Sequence, residues 1–104
     1  MTDTCLILTK CGSEETAQAI AEALVEHALA ASVTLQPVRT YVRLDGLTRD
    51  EEEFQLTVLT TVDRQAEAEA LLLRLHTYEV PEVLMVRVDA SAKGTLDWIE
   101  AATR

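Results

Sequence analysis

The amino-acid sequence predicts an α+β fold of the split βαβ, ferredoxin-like type, in which helices pack on one sheet. Three observations predict it. Apolar patterns follow the order strand, helix, strand, strand, helix, strand, helix. The turn signal Asp45–Gly46 joins two extended segments into a long β-hairpin. The 104 residues contain no linker or repeat, so residues 1–104 form a single domain.

The first strand and the first helix are predicted from the segment that begins at Cys5. Residues Cys5 to Leu8 are continuously apolar, which indicates a buried strand. Ser13 can cap the following helix because its side-chain oxygen accepts a backbone N–H bond. Apolar residues then recur at helical spacing, which predicts an amphipathic helix over residues 14–30.

The hairpin strands are predicted on either side of the Asp45–Gly46 turn. Ala31 to Leu44 is rich in β-branched residues, and Pro37 within it favours an edge strand or a bulge. Phe54 to Val58 alternates between apolar and polar residues, as a strand does. The acidic run Asp50–Glu53 between the two segments predicts a solvated hairpin tip, which we place over residues 45–52.

The second half of the chain repeats the alternation of helix and strand and ends in an added C-terminal helix. Asp63 is the expected N-cap of a helix over residues 64–76. Pro81 precedes a strand that continues to Val88, and Thr95 is the expected cap of the last helix, Thr95–Ala102. Right-handed crossovers place both long helices on one face of the sheet.

Apolar residues on both faces of two strands predict an oligomer. Residues 5–8 and 83–86 are apolar without alternation, while the long helices can cover only one sheet face. The second face would expose aliphatic side chains whose burial is worth about 1.5–3 kcal/mol each. Burial between subunits is therefore favoured over coverage by the short C-terminal helix alone.

The net charge limits the kinds of partner that we expect, and the cysteines indicate the cellular compartment. The formal net charge of −9 excludes nucleic acid and an anionic membrane surface as natural partners and favours cations. Cys5 and Cys11 would lie roughly 20 Å apart in a strand, too far for a disulfide, and free thiols suit a reducing compartment. The sequence contains neither a signal-peptide pattern nor a membrane-spanning apolar run, so we expect a cytoplasmic protein.

The segment from Leu75 to Val83, LHTYEVPEV, is denser in functional side chains than a connection requires. One interpretation is structural, with His76 at the negative end of a helix and Pro81 as a stop signal. The other takes Tyr78 and Glu79 as part of a rigid element at which a ligand or a neighbouring subunit binds, because both side chains are rarely buried without a partner.

This segment closely resembles the signature of the CutA family, divalent-cation tolerance proteins, with Thr77 in place of the usual proline. Thr95 to Ile99 is similar to the family's Tyr-Leu-Asp-Trp-Leu, and Leu29 to Val33 to its Leu-Ala-Ala-Cys-Val. The resemblance implies a cytoplasmic homotrimer of ferredoxin-like subunits with a binding, signalling-like or divalent-cation tolerance role, and no enzymatic activity. It also implies a ligand cleft near Tyr78 and Glu79.

The resemblance further implies copper binding through a cysteine near the end of the first strand and histidines before the tyrosine. His76 matches one of these histidines, whereas Thr9 stands at the cysteine position with Cys11 two residues on, so Cys11 and His76 are the candidate ligands. Leu75 and Ser32 replace other potential ligands. Two ligands are fewer than the three or four that a firm site requires, so we expect copper or another divalent cation to bind weakly, and no certain cofactor. The family's tryptophan and lysine are also absent from the hairpin, residues 42–47.

Two alternatives remain open at this point. In the first, the chain is a small cysteine-dependent hydrolase, with Cys11 as nucleophile and His76 as its base. In the second, it is a purely structural trimer without any ligand. The first alternative requires the two side chains to meet and the thiol to ionise, which sequence cannot decide.

Overall fold

A computed structural model describes residues 3–104, and its elements follow the predicted order. Four strands and three α-helices form the domain, with a short 3₁₀ turn at Val62–Arg64. The elements are β1 (Thr4–Cys11), α1 (Glu14–Glu26), β2 (Ser32–Leu44), β3 (Leu47–Thr61), α2 (Gln65–Leu75), β4 (Val83–Arg87) and α3 (Lys93–Ala102).

The sheet has the strand order β2-β3-β1-β4 with antiparallel pairing throughout. In the centre, Ile7 of β1 lies between Val58 of β3 and Met85 of β4. This order is the split βαβ arrangement, so the predicted ferredoxin-like fold is confirmed. Strand β2, which contains Pro37, lies at the sheet edge as expected for a residue without a backbone N–H.

One face of the sheet packs against α1 and α2 and forms the hydrophobic core. Ile7 and Val58 are fully buried there against Leu24 of α1 and Leu72 of α2. Cys11 belongs to the same core cluster. Each buried aliphatic side chain contributes about 1.5–3 kcal/mol, so this layer supplies much of the stability of the subunit.

The opposite face of the sheet carries an uncovered apolar patch, which we call the open face. It contains Leu6 and Leu8 of β1 with Leu84 and Val86 of β4, because paired residues point to the same side. Leu84 is 52% exposed and Val86 44% exposed. Helix α3 packs with Ile99 buried but leaves these side chains accessible. The structure therefore confirms the prediction that two strands are apolar on both faces.

The hairpin extends further than predicted, and the expected tip over residues 45–52 is wrong. Only Asp45 and Gly46 form the turn, and β2 and β3 pair from Leu44 opposite Leu47 onwards. The acidic run lies within β3 because its side chains find cross-strand partners. Arg39 of β2 donates to Asp50, and its second guanidinium nitrogen lies 3.2 Å from Glu52.

Helix α1 is shorter than the predicted 14–30. It begins after Ser13, whose hydroxyl caps the Thr16 N–H as expected. It ends at Glu26 because Ala28 adopts a left-handed conformation, with φ of 56°. The Leu29 N–H then bonds back to the Leu24 carbonyl at 2.9 Å, which closes the helix end.

The other two helices also begin at residues that differ from the prediction. Asp63 lies in the 3₁₀ turn and Arg64 occupies the N-cap of α2, so the expected Asp63 cap is wrong. Helix α3 begins at Lys93 after Ala92, which places Thr95 inside the helix rather than at its cap. Neither Arg64 nor Ala92 makes a side-chain cap hydrogen bond, so these two helices begin without the capping residues that the sequence suggested.

Candidate ligand-binding cleft

The loop between α2 and β4, residues 76–82, is called here the Tyr78 loop. Helix α2 ends at Leu75 because the His76 backbone turns to an extended conformation, with ψ of 140°. Strand β4 begins to pair with β1 only at Val83, opposite Thr9. The loop therefore lies beside Lys10 and Cys11, the last residues of β1. In the described part of the chain these two residues have no partner in β4.

His76 anchors the loop to the end of β1. Its Nε2 atom lies 2.9 Å from the Lys10 carbonyl oxygen and 3.3 Å from the Thr9 hydroxyl. Because a carbonyl can only accept, Nε2 carries the proton. The Tyr78 backbone N–H donates to Nδ1 at 3.2 Å. The imidazole is therefore held in one neutral tautomer, and both of its nitrogens are used in fixing the loop.

Tyr78 connects the loop to the hairpin. Its hydroxyl donates to Glu53 Oε2 at 2.7 Å. Its ring lies so close to Gly12 that a Cβ atom there would be 3.1 Å from the hydroxyl oxygen. Burial, the hydrogen bond to Glu53 and the charges of Glu53 and Glu51 raise the pKa of Tyr78 well above its ordinary value, so it remains a donor.

Glu53 is a functional candidate that the sequence analysis missed. Only 7% of the residue is exposed, which is unusual for a glutamate. In β3 it lies two residues before Gln55, which pairs with Lys10, so Glu53 and Lys10 point to the same face. Strand alternation extended backwards from Phe54 could have indicated that face. Its burial, however, depends on Tyr78, which lies 25 residues away.

These elements enclose a cleft of about 550 Å³ between the hairpin and the Tyr78 loop. Tyr78 is half-buried and Glu79 is exposed, and both line it, so the structure brings the two predicted binding residues to one cavity. Lys10 Nζ lies 3.9 Å from Glu82 Oε1 at its border. The remaining lining residues are Thr40, Val42, Leu44, Glu51, Glu53 and Val80.

The structure also brings the two predicted metal or catalytic residues together. Cys11 Sγ lies 3.8 Å from His76 Nε2, and Cys11 is fully buried. Burial, followed by the nearby charge of Glu53, raises the pKa of Cys11 to about 11. The thiol is thus protonated at neutral pH, and the nitrogen that faces it already carries a proton. This geometry does not activate a nucleophile.

The same pair does not fit a firm copper or zinc site. His76 has no free lone pair while it holds the Lys10 carbonyl and the Tyr78 N–H. Across residues 3–104, no group of three or more His, Cys, Asp or Glu side chains is arranged to hold a metal ion. A firm site needs three or four ligands, and any binding through His76 must first disrupt the loop anchor.

Comparison with known proteins shows the family to which the chain belongs. The family model described as CutA1 divalent ion tolerance protein matches residues 5–102. The chain belongs to this family. A divalent-cation tolerance protein CutA from Thermus thermophilus is 34% identical over 99 residues, which cover 94% of this chain and 96% of the relative. A CutA protein from Pectobacterium atrosepticum is 30% identical over 103 residues, which cover 98% and 94%.

Solved structures of CutA proteins share the fold over nearly the full chain. CutA from Xylella fastidiosa matches with a TM-score of 0.94 at 31% identity, covering 98% of this chain and 99% of that one. CutA from Synechococcus elongatus matches with a TM-score of 0.94 at 33% identity, covering 100% and 93%. The resemblance inferred from the Tyr78 loop is therefore confirmed. No helix within residues 3–104 is long and apolar enough to cross a membrane.

Proposed function

We propose that this CutA family member is a homotrimeric, non-enzymatic binding protein whose ligand site is the cleft beside Tyr78 and Glu79. The observation that carries the proposal is the position of Glu53, a buried carboxylate held by the Tyr78 hydroxyl at the wall of an open cleft. Burying a carboxylate is costly, and such an arrangement is typical of a site that binds rather than of a connector.

The state of the Cys11 thiol supports a binding role over the hydrolase alternative. Cys11 is buried and its pKa is raised to about 11, so about one thiol in ten thousand is ionised at pH 7. Alkylation by iodoacetamide at neutral pH should be slow in the folded protein and fast in denaturant. Rapid modification of the folded protein at Cys11 would instead support the hydrolase alternative.

The open face supports the homotrimer. Leu84 and Val86 are about half exposed on a sheet face that α3 leaves uncovered, and apolar patches of this kind mark association surfaces. The two buried, unpaired cysteines suit a cytoplasmic setting, although the CutA structure from Archaeoglobus fulgidus is described as that of a periplasmic protein. Fractionation of the source cells against a cytoplasmic marker enzyme tests this setting.

Divalent cations bind weakly in this proposal. The Cys11–His76 pair is committed to the loop, so we expect a Kd for Cu²⁺ of tens of micromolar or weaker, near −6 kcal/mol. Titration calorimetry with Cu²⁺ on the intact protein tests this, with Cys11→Ala and His76→Ala as comparisons. Submicromolar binding of one ion per subunit that either variant abolishes would contradict it, because the tautomer described above could not then persist.

A further inference from the structure

Side-chain contacts, rather than backbone hydrogen bonds, hold the Tyr78 loop to the subunit. Within residues 3–104, no backbone–backbone hydrogen bond involves residues 77–82. Helix α2 ends at Leu75, and pairing with β1 resumes only at Val83. Segments with few backbone bonds and high exposure open at a lower free-energy cost than the elements around them, and Val80 of this loop is 88% exposed. The loop can therefore leave its position without breaking a helix or a strand.

His76 and Tyr78 form a coupled pair that anchors this loop at two points. The Tyr78 N–H donates to His76 Nδ1 at 3.2 Å, and the centroids of the two rings lie 5.1 Å apart. One anchor is the bond from His76 Nε2 to the Lys10 carbonyl, and the other is the bond from the Tyr78 hydroxyl to Glu53. A third contact, the ion pair of Lys10 with Glu82, is partly exposed and contributes little. Because ring and backbone contacts join the pair, we expect the two anchors to be released together.

The Cys11 thiol lies under this pair. Its Sγ atom is 3.8 Å from His76 Nε2, and Cys11 is fully buried. Tyr78 packs against the next residue, Gly12, where a Cβ atom would be 3.3 Å from the tyrosine ring. The loop thus lies between the thiol and the solvent at the end of β1. Cys5, the other buried cysteine, lies about 20 Å away near the start of the same strand.

We propose that the Tyr78 loop is a lid that opens as one unit and thereby uncovers the Cys11 thiol. In the closed state both anchors are made and the thiol is out of reach of the solvent. In the open state His76 and Tyr78 leave the end of β1 together, while the helices and the sheet remain folded. The same movement carries Tyr78 and Glu79 away from the cleft wall, so exposure of Cys11 reports whether the cleft is formed. The inference goes beyond the proposed binding function, because opening of the lid requires no ligand.

The test is the rate at which iodoacetamide alkylates each cysteine of the intact protein, with the modified residue identified by mass spectrometry of peptides. When the lid closes faster than the reagent reacts, this rate follows the open fraction. Tyr78→Phe removes one anchor but leaves the contact between His76 and Cys11 in place, so a lid that opens as one unit should give about tenfold faster alkylation of Cys11 than in the parent protein. Tyr41→Phe changes an exposed tyrosine on the hairpin and should leave the Cys11 rate within about twofold of the parent value.

The urea dependence of the two alkylation rates distinguishes a lid from unfolding of the whole subunit. In the parent protein, Cys11 alkylation should change little with urea below the unfolding transition, because opening a short loop exposes little surface, whereas Cys5 alkylation should rise steeply. This measurement needs no variant, so it decides the matter even where Tyr78→Phe fails to fold. Equal Cys11 rates in Tyr78→Phe and Tyr41→Phe would show that the two anchors open separately. A Cys11 rate that rises with urea as steeply as the Cys5 rate would show that only global unfolding exposes the thiol, and either result overturns the lid.

Discussion

The hydrogen bond from Tyr78 to Glu53 joins a loop to a strand that lies 25 residues earlier in the chain. We expect Tyr78→Phe to lower the free energy of unfolding by about 1–3 kcal/mol, because it removes the donor to Oε2 of Glu53, a buried residue. Tyr41→Phe is the matched control, since Tyr41 is 72% exposed on the same hairpin and its loss should stay within about 0.5 kcal/mol.

Urea unfolding of the two tyrosine variants at equal subunit concentration measures this difference. Equal midpoints for Tyr78→Phe and Tyr41→Phe would show that the hydroxyl of Tyr78 does not stabilise the loop. The cleft would then lose the support on which its binding role depends, because the position of Glu53 follows from this bond.

The buried thiol of Cys11 predicts a loss of stability at alkaline pH. Its pKa in the folded protein, about 11, is higher than the value of about 8.5 in an unfolded chain. The folded state thus holds the proton more tightly, so this contribution is present below about pH 8.5 and is lost as the pH rises toward 11. We expect the free energy of unfolding to fall by roughly 2–3 kcal/mol more in the parent protein than in Cys11→Ala over this range, since each unit of pKa difference is worth about 1.4 kcal/mol.

Urea titrations at a series of pH values between 8 and about 11 check this expectation, with Cys11→Ala as the reference. Tyr78 also has a raised pKa and is present in both proteins, so the difference between them reports the thiol together with its minor electrostatic effect on Tyr78. Parallel curves for the two proteins would mean that the thiol ionises as readily in the folded state as in the unfolded chain.

Among the elements, contact between the Tyr78 loop and the turn after β1 leads to a further prediction. A Cβ atom at Gly12 would lie 3.1 Å from the Tyr78 hydroxyl and 3.3 Å from its ring, so Gly12→Ala should displace the ring and destabilise the protein by about 1–2 kcal/mol. Gly94 lies in α3 with open space around its Cβ position, so Gly94→Ala should instead stabilise by up to about 1 kcal/mol. Thermal unfolding of both variants measures whether each substitution raises or lowers the melting temperature. A Gly12→Ala protein that is more stable than the parent protein would contradict the tight contact.

Local signals account for the elements that sequence could predict. Alternation around Phe54 and the Asp45–Gly46 turn predicted the hairpin, since strand period and turn chemistry are properties of adjacent residues. The acidic run was assigned to a solvated tip because its partner, Arg39, lies on the other strand. Extent and register of a hairpin depend on such cross-strand pairs, which composition does not reveal.

The candidate site shows the same division. Tyr78 and Glu79 could be selected from the sequence because their loop carries the family's pattern, and the structure places both at the cleft. Glu53 could not be selected, because its burial requires the loop to fold over β3. The sequence also could not show that Cys11 and His76 lie close together. The tautomer of His76, which determines the chemistry of the pair, follows from its hydrogen bond to the Lys10 carbonyl.

The whole molecule presents a surface that a single subunit cannot bury. On the open face, Leu84 and Val86 remain about half exposed while the helices cover the other side of the sheet. A subunit of 11.5 kDa has a small core, so burial of this face between copies adds stability that the subunit lacks alone. The cleft opens beside the open face at Lys10. A neighbouring subunit that bordered the cleft there would make ligand binding depend on the assembly.

The last prediction concerns this assembly. Light scattering at micromolar concentration should give three times 11.5 kDa for the parent protein. Leu84→Lys should shift the mass toward the monomer, because a charge replaces an apolar side chain worth about 1.5–3 kcal/mol in each subunit interface. Val25→Lys is the matched control, since Val25 is 46% exposed on α1, away from the open face, and this variant should remain trimeric. Circular dichroism verifies that both variants keep their helices. Either a folded Leu84→Lys protein that stays trimeric or a parent protein that is a stable monomer would show that subunits do not meet on this face.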